Sequence, residues 1–141
     1  MSLETADIYE FEKTFTNRPE LAEAYFNIKR IFDSTDEVNI NELSEEDIRS
    51  RFSSIRGSLA VVYAKADDLS EKFFNKSLIN LAEDELGANI LNAINEMMDF
   101  ADVDDDKALP SDLEDRCEKI SILATRLERA LSDFDEDLGK I

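Results

Sequence analysis

The chain predicts an all-α fold: an antiparallel four-helix bundle with an additional short N-terminal helix. Three observations carry this. Apolar residues recur at spacings of three and four rather than two, only 3 glycines and 2 prolines interrupt 141 residues, and two long stripes keep a strict four-three alternation throughout. The gaps between periodic stretches are short, so residues 1–141 read as a single helical domain without an internal repeat.

From the N-terminus, Ile8, Phe11 and Phe15 suggest a short helix or an extension of the next one, with a break at Pro19. Leu21, Tyr25, Ile28 and Phe32 define the first principal helix, opened by Pro19. After a connection over Asp33 to Leu43, the stripe Ile48, Phe52, Ile55, Leu59, Val62, Ala66, Leu69, Phe73 runs for about seven turns. Ser44 is its expected N-cap, with Asp47 three residues on, and Glu45 and Glu46 suit the positive end of the helix dipole. At 1.5 Å per residue this helix spans about 45 Å, longer than its neighbours, so part of it is expected to project, to pair in a homodimer, or to be covered by the N-terminal segment.

Leu78 to Ala101 reads as the third helix, carrying Ile79, Ala82, Leu86, Ile90, Ala93, Ile94 and Met97. Gly87 would interrupt it at a cost of about 1 kcal/mol relative to alanine, explained by a close helix crossing. The closing helix carries Leu113, Cys117, Ile120, Ala124, Leu127, Leu131, Phe134 and Leu138, with Ser111 as the expected cap of a helix starting at Asp112.

Charge excludes more than it identifies. There are 34 aspartates and glutamates against 16 lysines and arginines, a net −18, and no histidine. The commonest general base and transition-metal ligand is therefore missing, which removes histidine-dependent triads and zinc sites. The single cysteine, Cys117, cannot form an intramolecular disulfide and lies on an apolar stripe, where an inert thiol is expected. No stretch approaches the roughly 20 apolar residues of a membrane span, and Met1 to Tyr9 lack the features of a signal peptide. The expectation is a soluble, cytoplasmic protein with no direct contact to nucleic acid or membrane, drawn toward partners with basic surfaces.

Four features are candidates for function. Asp102, Asp104, Asp105 and Asp106 supply carboxylates at positions 1, 3 and 5 of a calcium loop, but Lys107 replaces the turn glycine and Leu113 the closing glutamate. A solvated acidic loop is the competing expectation. Second, Asp67 and Asp68 share a helix face with Glu71, and the next helix offers Glu83, Glu85, Glu96 and Asp99. Facing carboxylates of this kind suit Mg²⁺ beside a phosphate.

Over Lys65 to Asp104, this second feature resembles the MazG-type all-α nucleotide pyrophosphatases, which pair a Glu-Glu-x-x-Glu helix with a Glu-Leu-Gly-Asp helix. Here the chain has Asp67-Asp68-Leu69-Ser70-Glu71 and then Glu83-Asp84-Glu85-Leu86-Gly87-Ala88-Asn89. The resemblance implies Mg²⁺-dependent release of pyrophosphate from a nucleoside triphosphate through Asp68, Glu71 and Glu85. Ala88 stands where that family has a metal-binding aspartate, a departure from the pattern that puts the activity in doubt.

Third, no acidic residue occurs from Ile48 to Ala66, where Arg49, Arg51, Arg56 and Lys65 lie among small residues. Arg49 and Arg56, seven apart, share a face; such arginines can anchor a carboxylate or phosphate of a partner, or can neutralise acidic neighbours within the fold. Fourth, from Glu96 to Asp115 nine carboxylates face one lysine, and Asp133, Asp135, Glu136 and Asp137 follow. Such a surface can keep molecules apart, attract a basic protein, or imitate DNA phosphates before a DNA-binding protein. The expectation drawn from all four is a non-enzymatic acidic interaction or regulatory module binding a basic protein, with Arg49, Arg51 and Arg56 as an interaction face and no metal or cofactor. An inhibitor that imitates DNA is the other non-enzymatic alternative.

Overall fold

A computed structural model describes residues 18–35, 39–83, 87–104 and 106–140. The fold is all-α. In chain order it comprises α1 (Pro19–Thr35), a 3-10 turn (Ile40–Glu42), α2 (Glu45–Phe74), α3 (Leu78–Ala82), α4 (Ala88–Ala101) and α5 (Leu113–Gly139). There is no strand among the described residues, and none of their helices is long and apolar enough to cross a membrane. The short helix expected ahead of Pro19 lies outside the described residues.

Local chemistry sets the ends of α2. The Ser44 hydroxyl accepts from the Asp47 amide at 3.1 Å, and the C-cap Asn75 takes the left-handed conformation (φ 57°) so that its amide bonds the Glu71 carbonyl. The stripe from Ile48 to Leu69 is buried and Phe73 is half-buried, so α2's long apolar face is covered within the chain. It packs most extensively against α1 and also meets α4. Leu21, Ala24, Tyr25, Ile28 and Ile31 form the buried face of α1.

The third helix is broken where the periodicity had run on. α3 ends at Ala82 and α4 starts at Ala88, with Gly87 as its N-cap. A methyl group on Gly87 would stand 3.0 Å from Leu78 Cδ1 and 3.3 Å from the Ala82 nitrogen and the Leu78 carbonyl. Gly87 thus permits a close approach, but between the chain and the preceding short helix rather than within one continuous helix. The break also changes the buried register: Leu78 and Leu81 are inside, and Ile79 is exposed. α3 is started by the Ser77 hydroxyl on the Asn80 amide and by Asp67 of α2, whose carboxylate accepts from the Leu78 amide at 2.8 Å.

α5 begins one residue later than expected. Asp112, not Ser111, is its N-cap, and the Asp112 carboxylate accepts from Arg116 Nε at 2.9 Å instead of from a backbone amide. Its stripe is buried from Leu113 to Leu138 except at Cys117, which is half-buried. α5 packs chiefly on α4 and secondarily on α1. Glu20 meets Lys72 and Glu23 meets Lys65 between α1 and α2, while Arg18 meets Asp135 and the Tyr25 hydroxyl donates to the Glu128 carbonyl between α1 and α5. In each pairing, rising residue numbers on one helix meet falling numbers on the other.

Candidate functional site

One end of the molecule gathers four chain segments: the 3-10 turn, the start of α2, the connection after α4 and the start of α5. The side-chain amide of Asn41 donates to the Glu114 carboxylate at 2.8 Å, and Arg49 donates to the carbonyls of Asp104 and Lys107. Exposed carboxylates come from all four: Glu42; Glu45, Glu46 and Asp47; Asp102, Asp104 and Asp106; and Asp112, Glu114, Asp115 and Glu118. Two helix N-termini lie at this acidic pole, and their positive dipole ends are one reason so many acids are tolerated together.

The arginines at this pole bond backbone carbonyls, and two of them bond an acid as well. α4 ends with last-turn carbonyls that no helical amide can satisfy. Arg56 donates to the Ala101 carbonyl at 2.7 Å, and Arg116 to the Phe100 carbonyl at 3.0 Å and the Asp99 carbonyl at 3.5 Å. Arg49 holds the following loop and also pairs with Glu45 at 3.0 Å. Of the three arginines proposed from sequence as an interaction face, Arg49 and Arg56 are thus occupied by carbonyls of the chain itself. Arg51 is half-buried; its charge lowers the pKa of the Cys117 thiol while burial, the larger influence, pushes it up. The Cys117 thiol therefore stays protonated, as an inert cysteine would.

The other sequence candidates fall in different places. Asp67 is used by the amide of Leu78, while Asp68 and Glu71 are exposed on α2. Glu83 is exposed, and Glu85, like Asp105 of the acidic loop, lies outside the described residues. Asp104 accepts from the Asp106 amide at 2.9 Å, a local turn. Among the described residues no three carboxylates or thiols come together to hold a metal ion.

A second region, which sequence reasoning missed, lies between α4 and α5. There an open groove of about 570 Å³ is floored by Ala93, Leu123 and Ala130. Asn89, Asn92, Glu96 and Asp99 wall it from α4, and Arg126, Arg129 and Asp133 from α5. It continues past Glu96 and Arg126 to a shelf of Phe100, Ile122 and Lys119, where the ammonium of Lys119 lies 5.7 Å from the centre of the Phe100 ring. Arg126 and Arg129 form no ion pair among the described residues, unlike most other cations of the chain. A signal was present: asparagines at 89, 92 and 95 are poor helix formers placed on one side of a helix, where solvent or a partner must be what they face.

Set against known protein families, curated proteins and solved structures, the chain matches none.

Proposed function

We propose that this protein is a non-enzymatic, acidic helical interaction module that binds a basic protein partner through its acidic pole. The supporting observation is the arrangement of charge there. Exposed carboxylates from four segments converge; of the arginines among them, Arg56 bonds a backbone carbonyl, while Arg49 and Arg116 divide their hydrogen bonds between backbone carbonyls and one acid each, Glu45 and Asp112. The exposed carboxylates thus outnumber the cations of the pole. Electrostatic attraction would speed encounter with a cationic surface and select its orientation.

The scaffold for this pole is, in the same proposal, an antiparallel four-helix bundle. Its support is the packing pattern: each of α1, α2, α4 and α5 touches two of the others, with numbering that runs oppositely across each ion-paired contact. Acidic residues on rigid helix ends then hold fixed spacings, which a flexible acidic tail would not.

The test is titration with a lysine- and arginine-rich peptide at physiological salt, for the wild type and for a variant carrying Glu45→Gln, Glu46→Gln, Asp102→Asn and Asp106→Asn. Binding by the wild type, weakening as salt rises and lost in the variant, is the expected result. Absence of binding by the wild type, or equal binding by the variant, would remove the basis for the proposal.

A further inference from the structure

The groove between α4 and α5 differs from the rest of the surface in its charge balance. The acids lining it and its shelf are Glu96, Asp99 and Asp133, and the cations are Lys119, Arg126 and Arg129, so the lining is neutral on a chain of −18. The signs are also unevenly placed: the α4 wall has carboxylates and amides but no cation, and all three cations stand on α5 beside one acid, Asp133. On the shelf, Ile122 is 48% exposed, one of few large apolar side chains so placed among the described residues.

We propose that this groove is a self-association surface whose occupant is the same groove of a second copy, related by a two-fold axis running along it. Such an axis lays the α4 wall of one copy over the α5 wall of the other. Glu96 then faces the other copy's Arg126 and, by symmetry, Arg126 faces the other copy's Glu96. Arg126, which has no ion pair among the described residues, acquires a carboxylate partner in each copy, and Ile122 is covered near the contact. Elsewhere two copies of this chain would repel; at a neutral patch they approach without local opposition.

Light scattering combined with size-exclusion chromatography on the full chain tests this. At about 0.1 mM protein the expected mass is twice the 16.1 kDa of one chain, with association strengthening from low to physiological salt as the long-range repulsion is screened. Ile122→Asp, a change at a half-exposed position, should leave the helical circular dichroism intact and weaken association at least about tenfold. Arg126→Glu and Glu96→Arg should each be monomeric alone and restore the dimer when mixed, because the mixture rebuilds both charge pairs. A wild type that stays monomeric at every salt concentration would overturn the proposal, as would an Ile122→Asp dimer or a mixture of the two reversals that remains monomeric.

Discussion

The acidic pole and the α4–α5 groove use the same side chain in opposite ways. At the pole, guanidinium groups sit amid an excess of carboxylates, yet Arg56 reaches past them to a carbonyl that ends α4, and Arg116 adds such a carbonyl to its bond with Asp112. In the groove, Arg126 and Arg129 stand beside Glu96, Asp99 and Asp133 and pair with none of them. The difference is geometric. A helix C-terminus presents fixed, unsatisfied acceptors on the negative end of the dipole, and meeting them costs little side-chain freedom; an exposed carboxylate on a neighbouring turn must be ordered together with its partner for a small return. Charge counting along the sequence cannot separate the two situations.

Removing each kind of arginine tests that contrast most strongly. Arg56→Ala takes a charge-assisted hydrogen bond from a half-buried carbonyl and should lower stability by about 1.5–3 kcal/mol in urea unfolding. Arg126→Ala and Arg129→Ala should each stay within about 0.5 kcal/mol of the wild type. Equal losses at both places would mean that the groove arginines are structural too.

The break before α4 gives the next largest effect, and its sign is diagnostic. In one continuous helix, Gly87→Ala would stabilise by about 1 kcal/mol. With Leu78 and Ala82 already at contact distance from the position of the added methyl group, it should instead destabilise by about 1 kcal/mol or more, read from the same unfolding curves. Stabilisation would show that α3 and α4 have room to move apart.

What could be read in advance divides along the same line between local and assembled features. Ile48 to Leu69 and Leu113 to Leu138 announce two buried faces by period alone, and Ser44 announces its cap, because each needs only its own helix. Gly87 was visible as an anomaly, but whether a glycine interrupts a helix or serves a crossing depends on what packs against it, here Leu78 of the preceding short helix. Arg49 and Arg56 stood out as cations in an acid-free stretch, and their acceptors lie 45 to 58 residues away in a part of the chain with no apparent link to them. The groove has walls from two helices, so neither Glu96 nor Arg126 could signal it alone.

The two serines compared as caps sharpen this at smaller scale. Ser44→Ala removes the acceptor for the Asp47 amide and should cost about 1 kcal/mol. Ser111→Ala should be close to neutral, since Asp112 occupies the cap position and no capping bond comes from Ser111. Parallel losses in thermal unfolding would return Ser111 to the role that the sequence first suggested for it.

The smallest effects are those of two carboxylates of α5 whose acidity is moved in opposite directions. At the pole, the hydrogen bond from Arg116 holds Asp112 below its ordinary 3.8. Toward α1, burial pushes Glu128 above its ordinary 4.5. A carboxyl group with a depressed folded pKa contributes stability above its unfolded value and loses it as pH falls through the folded value. Asp112→Asn should therefore cost stability at neutral pH, and the difference from wild type should fade in acid below about pH 4. Glu128 has the reverse sign: its contribution is complete below 4.5 and is lost as pH rises through its folded pKa, leaving a penalty on the charged form at neutral pH. Glu128→Gln should accordingly be slightly more stable than wild type at about pH 7 and indistinguishable from it at about pH 4. Both groups are partly or wholly open to solvent, so the shifts are small, and thermal melts of the two variants across this range are best read by sign. A gain for Glu128→Gln that persisted in acid would have to come from packing, because a protonated glutamate and a glutamine carry the same charge.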